Sequence, residues 1–170
     1  MTEPAFPDVR WGRDPGPAVM KVITGFLGSK GGAWLLRHFT SVDARVLRNT
    51  AGRRTLLGPF GVPLLLLTTT GRKSGRPRQI ALTYLREGDR LFVVGSNFGQ
   101  SQHPAWTANL LAEPNATVAI GGQEIPIRGT QLAGAEADRI YQEFVSYAGN
   151  YGAYRDRARR EIRVFALARR

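Results

Sequence analysis

The sequence contains no cysteine, and this absence excludes disulfide bonds, thiol nucleophiles and zinc–thiolate sites. Only two histidines remain for imidazole chemistry. His103 has no carboxylate near it in sequence, so we interpret it as a helix-start or pocket-edge residue rather than a general base. The acidic residues are scattered, and Glu136 and Asp138, which lie close together, fall on a predicted surface helix and give no paired-carboxylate site. Hydrolysis therefore has no evident catalytic group, and we predict no metal site.

Long apolar runs are also missing, and negative charge is scarce. No run approaches the roughly 20 residues that span a bilayer, and the first residues lack the basic and apolar regions of a signal peptide, so we expect a cytoplasmic protein. The 170 residues suit one domain with a single core. A net charge of +11 implies an acidic partner, which could be nucleic acid, an anionic membrane surface or a polyanionic small molecule.

The most informative segment present is residues 71–78, Gly-Arg-Lys-Ser-Gly-Arg-Pro-Arg, called the basic turn below. It follows a buried apolar run, its glycines permit a tight turn, and its cations and hydroxyl can grip a phosphate or several carboxylates. It lacks the Gly-Lys-Ser/Thr ending of a phosphate-binding loop, and it is no nucleophile elbow. The alternative is a solvated hairpin whose charges only aid solubility.

A second cluster, residues 95–109, is rich in glycine, hydroxyl, amide and aromatic groups. Its backbone amides and the Ser96 hydroxyl could approach a flat heterocycle, while Trp106 and Asn109 lie one turn apart on the following helix. Near the C-terminus, tyrosines at positions 147, 151 and 154 are spaced as on one helical face. They can either form core or line one side of a pocket.

The first 60 residues are predicted to form an arm and helices. Residues 1–15, rich in proline and charge, are predicted to be a poorly ordered arm, followed by a helix over residues 17–27 and a glycine-rich break over residues 28–32. A second helix carries on its apolar face Leu35, Leu36, Phe39, Val42 and Val46. This basic, amphipathic pair is either a lid packed on the core or a membrane-surface anchor.

Beyond residue 60 the apolar period indicates strands. They are predicted over residues 62–67, 80–85, 91–95, 117–120, 125–130 and 162–168, with helices over residues 104–112 and 133–147. The basic turn joins the first two strands. Antiparallel strands with few intervening helices predict an α+β fold in which a small barrel is surrounded by peripheral helices.

Three linked motifs resemble the deazaflavin-dependent nitroreductase family of actinobacteria. They are Leu-Thr-Thr-Thr-Gly-Arg-Lys-Ser-Gly-x-Pro-Arg (residues 67–78), Gly-Ser-x-x-Gly (95–99) and Pro-x-Trp-x-x-Asn-Leu-x-Ala-x-Pro (104–114). The resemblance runs from about Val62 to the C-terminus and implies a split β-barrel like that of FMN-binding proteins over residues 61–170. Residues 1–60 depart from the family pattern and are predicted to be an N-terminal helical extension. It also implies coenzyme F420, whose phosphodiester and oligoglutamate tail would meet the basic turn and account for the charge.

The resemblance also implies the roles of individual residues. The implied cofactor-binding residues are Thr70, Gly71, Arg72, Lys73, Ser74, Arg78, Gly95, Ser96, Asn97, Trp106 and Asn109. The predicted catalytic residues are Ser96, which would donate to the deazaflavin carbonyl, and Tyr84, Tyr151 and Tyr154, which would shape the acceptor pocket, one phenol relaying a proton. Family members transfer hydride to nitroaromatics, quinones or other electron-poor rings, and we prefer a quinone as the physiological acceptor.

Three alternatives stay open. An FMN-dependent reductase on the same barrel would need only one phosphate site and would leave the surplus of arginines unexplained. A non-catalytic cofactor binder differs from an enzyme only in turnover. A nucleic-acid-binding module fits the charge, but the basic segments are dispersed, so we expect no nucleic acid partner. We expect a small electron-poor substrate, and the inner face of the plasma membrane is a candidate contact of the N-terminal helices.

Overall fold

A computed structural model shows six antiparallel strands closed into a barrel, with helices outside it. The structure describes residues 62–170 and, before them, residues 6, 7, 9, 25, 31, 32, 42, 44–50 and 52–55. The strands are β1 (Leu64–Thr70), β2 (Pro77–Glu87), β3 (Arg90–Val94), β4 (Asn115–Ile120), β5 (Gln123–Gln131) and β6 (Val164–Arg169). The predicted α+β barrel is confirmed.

The strands follow the order β1-β2-β3-β6-β5-β4, and β4 pairs with β1 to close the barrel. Across the β1–β2 pair, Thr69 lies opposite Arg78 and Thr70 lies opposite Pro77. The basic turn is therefore the connection at the end of this pair, as the sequence predicts. The Gly121-Gly122 turn joins β4 to β5 in the same way.

Three helices lie in the continuous part of the described chain: α1 (Ala105–Ala112), α2 (Gly134–Tyr147) and α3 (Asn150–Ala158). A short 3₁₀ turn, Asn97–Gly99, follows β3. Pro104 precedes α1, where its fixed φ suits the start of a helix and its missing N–H leaves no bond unmade. The helix α1 joins β3 to β4, whereas α2 and α3 connect β5 to β6.

The strand β1 is apolar without alternation because both of its faces are buried. Leu65 and Leu67 point into the barrel core, whereas Leu64 and Leu66 pack outside it in a cluster with Leu47. Each large apolar side chain removed from water contributes about 1.5–3 kcal/mol. This burial fixes the strand from which the basic turn emerges.

A second apolar layer lies between the barrel wall and the helices α2 and α3. Phe92 of β3 and Val164 of β6 pack there against Ile140 and Phe144 of α2 and Ala158 of α3. The amphipathic pattern of α2 supplies the apolar face that this layer needs. The two helices are thereby held against one side of the barrel.

The predicted tyrosine stripe is divided between two helices. Tyr147 is the last residue of α2, and the extended backbone of Ala148 (φ −147°) ends that helix before α3 begins. Tyr151 and Tyr154 therefore share a helix with each other but not with Tyr147. The spacing of four and three residues carried no information on this break.

The N-terminal predictions need correction where residues are described. Phe6, in the arm predicted to be poorly ordered, is 2% exposed and belongs to the barrel core, where Val9 packs against it. Gly31 and Gly32 are helical, so the predicted glycine break is wrong at these positions.

The predicted apolar face of the second N-terminal helix also differs from the one found. Residues 44–49 are helical, but Val42 is 51% exposed and Leu47, which the apolar pattern omits, is fully buried. The rest of the arm and most of the two predicted helices lie outside the described residues.

The strand boundaries also differ from the predicted ones. The threonines at positions 68–70 continue β1 rather than follow it, and β2 begins at Pro77 instead of residue 80. Both differences arise because β1 and β2 pair along their full length up to the basic turn. The turn itself is therefore shorter and more tightly constrained than the sequence suggests.

Candidate functional site

A cavity of about 810 Å³ lies beside the basic turn, next to the start of β2 and along α1. The residues that line it are Gly71, Arg72, Lys73, Ser74, Arg78, Gln79, Ile80, His103, Pro104, Ala105, Trp106, Ala108, Asn109 and Arg163. The first and third motifs of the sequence thus meet at one cavity. His103 is among its lining residues.

The basic turn is closed by its own backbone. The amide of Gly71 donates to the carbonyl of Arg76 at 2.9 Å, and the Gly71 carbonyl accepts from the amides of Ser74 and Gly75 at 3.0 and 2.7 Å. Gly75 has φ +64°, a conformation that residues with a Cβ rarely adopt. A Cβ on Gly71 would lie 3.0 Å from the Arg76 carbonyl oxygen, so both glycines are required by the turn.

Asn109 of α1 ties the basic turn to β1. Its side chain is buried, its Oδ1 accepts from the Arg72 amide at 3.1 Å, and its Nδ2 donates to Thr69 Oγ1 at 3.0 Å. Thr69 Oγ1 in turn donates to the Arg78 carbonyl at 3.4 Å. Sequence reasoning placed Asn109 beside a ring; the structure shows that its amide also positions the backbone of Arg72.

Residues 95–103, called the 95–103 loop below, carry the second motif. A Cβ on Gly95 would lie 2.8 Å from Thr107 Cγ2, so the loop packs tightly on α1. Asn97 and Phe98 have φ of 48° and 54°, a left-handed conformation that is uncommon outside glycine. The Asn97 Nδ2 donates to the carbonyl of residue 102 at 2.9 Å, which closes the loop.

The charge of the cavity has one sign. Arg72, Lys73, Arg78 and Arg163 line it, and none of the described lining residues is acidic. Guanidinium groups bind phosphate and carboxylate oxygens in pairs, whereas the apolar part of the lining suits an uncharged ring. The lining therefore fits a ligand that has both an anionic portion and a planar apolar portion, as a phosphate-bearing deazaflavin has.

Comparison with known proteins agrees with this chemistry. A family model described as F420H(2)-dependent quinone reductase matches residues 36–169. The chain belongs to the F420H(2)-dependent quinone reductase family. This membership confirms the predicted oxidoreductase class and coenzyme F420 as the cofactor of the family.

Individual relatives of the protein align with most of its chain. An F420H(2)-dependent quinone reductase of Mycobacterium tuberculosis (strain H37Rv) is 33% identical over 144 residues, which are 81% of this chain and 97% of the relative. The solved F420-H2 dependent reductase FDR-A is 32% identical with a TM-score of 0.57, covering 62% of this chain and 93% of its own. A chain solved as a domain-swapped dimer is 29% identical with a TM-score of 0.58, covering 79% and 98%.

Several predicted site residues lie away from the cavity lining of this family member. Thr70, Gly95, Ser96 and Asn97 are not among the lining residues, although Thr70 adjoins the basic turn and the other three begin the 95–103 loop. Trp106 lines the cavity but is only 4% exposed, because its ring packs against Phe165 in the barrel core at a centroid distance of 5.4 Å.

The three tyrosines predicted to be catalytic also lie outside the lining. Tyr84 is buried in the barrel core. The rings of Tyr151 and Tyr154 have centroids 5.8 Å apart, and Phe98 of the 95–103 loop meets Tyr154 edge-on at 6.1 Å. Burial raises the pKa of Tyr151 and of Tyr154, so both phenols are protonated at neutral pH and can donate a hydrogen bond.

Sequence reasoning missed Arg163, the fourth cation of the cavity. It precedes β6 and donates from Nη1 to Thr107 Oγ1 of α1 at 3.2 Å. Gln79 and Ile80 of β2 were also missed as lining residues. No local motif marks Arg163, because only the pairing of β6 with the distant strands β3 and β5 brings the start of β6 beside α1.

Proposed function

We propose that the protein is a coenzyme F420-dependent reductase that binds the reduced cofactor in the 810 Å³ cavity and reduces a quinone. The observation that carries the proposal is that every charged residue of the lining is an arginine or lysine, in a chain that belongs to a family using this cofactor. The bound cofactor supplies the hydride. The protein contributes binding, orientation and exclusion of water.

The residues divide the binding task. Phosphate and carboxylate oxygens of the cofactor are held by the cations Arg72, Lys73 and Arg78 and by the Ser74 hydroxyl. The turn's own backbone bonds and the bond from the Arg72 amide to Asn109 keep these groups in position. The ring of the cofactor binds the apolar part of the lining, which is formed by Ile80, Pro104, Trp106 and Ala108. Gly71 contributes to the same site because the turn has no room for a side chain at this position.

The acceptor side of the site is assigned to the 95–103 loop and α3. We propose that Ser96, Tyr151 and Tyr154 act there, since the 95–103 loop packs on α3 through Phe98 and Gly99. Thr70, Gly95 and Asn97 support this loop and the turn. For Tyr84, whose side chain lies within the barrel core, we propose that it acts through its packing neighbours.

We further propose that the protein works in the cytoplasm and contacts the inner face of the plasma membrane through its N-terminal helices. The basic amphipathic pattern of the sequence supports this contact. In the described part of the chain no helix combines the length and apolarity needed to cross a membrane. Flotation with anionic vesicles tests the contact.

The decisive experiment is a fluorescence titration with coenzyme F420, followed by turnover with menadione. Arg72→Ala should raise the Kd about tenfold or more, because it removes a charge-assisted bidentate contact. Arg76→Ala is the matched control, since Arg76 is a cation of the same turn that does not line the cavity. We expect it to leave the Kd within about twofold.

Three results would overturn the proposal. Failure of the wild-type protein to bind the cofactor at micromolar concentrations, together with binding of FMN, would favour the FMN reductase. Binding of nucleic acid that the Arg72→Ala and Arg76→Ala variants weaken equally would favour the nucleic-acid module, since both cations would then contribute only charge. Binding of F420 without oxidation by any quinone would leave a non-catalytic binder.

A further inference from the structure

Arg160 lies between α3 and β6, and every nitrogen of its guanidinium donates a hydrogen bond to the 95–103 loop or to the neighbouring residue Glu161. Its Nε donates once and each terminal nitrogen donates twice, all at 3.1–3.2 Å. The acceptors are the carbonyls of Gly95, Ser96, Gln100 and Glu161 and the Nδ1 of His103. Four of these five acceptors belong to the 95–103 loop, so one side chain holds both ends of it.

The contact with His103 has a consequence for the imidazole. A guanidinium can only donate, so the Nδ1 of His103 must accept and carries no proton. A neutral imidazole then carries its proton on Nε2. His103 lines the cavity, and Nε2 is the ring nitrogen left for a ligand.

We propose that Arg160 is a positioning residue that holds His103 in the Nε2–H tautomer, so that His103 donates a hydrogen bond to an oxygen of the ligand in the cavity. The proposal deepens the proposed function and rests on it for the identity of the ligand. The oxygen belongs either to a phosphate or carboxylate of the cofactor or to a carbonyl of the quinone. A donor that stays neutral adds directional binding to the charge already supplied by the arginines.

The tautomer can be measured without turnover. The sequence has only two histidines, so ¹⁵N-imidazole NMR of the wild-type protein and of His38→Gln assigns the His103 signals. We expect protonated Nε2 and unprotonated Nδ1. Arg160→Lys should replace this pattern by averaged shifts, because an ammonium lacks the planar fork. Arg159→Lys, a change at the exposed neighbouring residue, is the control and should leave the pattern unchanged.

The ligand contact is tested with two substitutions at the exposed position 103. His103→Leu removes the donor, whereas His103→Gln keeps an N–H near the position of Nε2. If the acceptor is a phosphate or carboxylate, His103→Leu should raise the Kd for F420 about tenfold or more with the quinone KM unchanged. If it is a quinone carbonyl, the KM should rise about fivefold with the Kd unchanged. In either case His103→Gln should stay within about twofold of wild type.

The outcomes that overturn the proposal are distinct from failure of the proposed function. A wild-type His103 found as the Nδ1–H tautomer, or as an unbiased mixture, would remove the role of Arg160 whether or not F420 binds. Unchanged Kd and KM in His103→Leu, in a protein that binds F420, would remove the contact with the ligand. Loss of F420 binding by the wild-type protein would instead overturn the proposed function and leave the NMR result standing.

Discussion

Single side chains far apart in sequence determine how the cavity is built. Asn109 reaches Arg72 across 37 positions and Thr69 across 40, and it is buried while doing so. An amide buried in this way is costly to remove, because its partners would lose their bonds without gaining water. The position of the basic turn therefore depends on a residue that is itself uncharged.

Replacement of Asn109 by alanine should lower the free energy of unfolding by about 1–3 kcal/mol and also weaken F420 binding. Thr69→Val removes only the bond to Asn109 Nδ2 and the weak bond to Arg78, so its effect on stability should be smaller. Urea denaturation of the single and double variants measures the coupling between the two residues. Strictly additive effects would contradict the linkage described here.

His103 should titrate below its ordinary value. Burial, and then the charges of Arg160 and Arg163, lower the pKa of His103 from 6.5, while Glu161 opposes the shift. The unfolded chain therefore binds this proton more readily, so the contribution of His103 to stability diminishes as the pH falls below 6.5. NMR titration should show the midpoint below 6.5 in the wild-type protein.

The same titration measures how much the charge of Arg163 contributes to the lowered pKa of His103. Arg163→Ala should raise the His103 midpoint, because it removes one repelling charge, whereas Arg163→Lys keeps the charge and should leave the midpoint close to wild type. A midpoint at or above 6.5 in the wild-type protein, or no rise in Arg163→Ala, would contradict this account of the charges around His103.

At the scale of elements, the β1–β2 connection requires glycine at positions 71 and 75 for two different reasons. Gly75 needs a left-handed backbone but has open space around it, whereas Gly71 has no space. We expect Gly75→Ala to cost about 1 kcal/mol of stability with little effect on F420 binding.

Gly71→Ala should affect binding much more than Gly75→Ala. The added methyl group meets Ser74 Oγ at 2.8 Å and the Arg76 carbonyl at 3.0 Å, so the turn that carries Arg72 and Lys73 must shift. Thermal unfolding and F420 titration of both variants test the distinction. Equal effects of the two substitutions on the Kd would show that the turn is not held by close packing.

The elements that could be predicted from the sequence are those with a local signal. Each of three features is predicted by a pattern of a few residues: the apolar run of β1, the glycine-bracketed basic turn, and Pro104 before α1. The break at Ala148 and the full length of the β1–β2 pairing could not be predicted, because they depend on packing between elements distant in sequence. Arg163 escaped notice for the same reason, since it joins the cavity only through the pairing of β6.

At the scale of the whole molecule, the barrel core includes a residue from outside the barrel. Phe6 is 2% exposed inside the core, and its carbonyl accepts from Arg86 Nη1 at 3.0 Å. Val9 approaches the β4–β5 turn so closely that a Cβ on Gly121 would lie 2.7 Å from its Cγ2. Phe6 stands among prolines and charged residues without an apolar period, so this contact could not be predicted from sequence. The division of the chain near residue 60 stays a prediction, but the barrel core includes residue 6, which lies on the N-terminal side of that division.

Removal of this aromatic ring should destabilise the entire barrel. Phe6→Ala should lower the free energy of unfolding by about 3–5 kcal/mol, because it removes a buried ring and leaves a cavity in the main core. Leu111→Ala is the matched control, since Leu111 is 50% exposed on α1 and its loss should cost little. Guanidinium denaturation followed by tryptophan fluorescence measures both, because Trp106 lies in the same core cluster as Phe6. Equal, small losses in the two variants would mean that the stability of the barrel does not depend on the Phe6 ring.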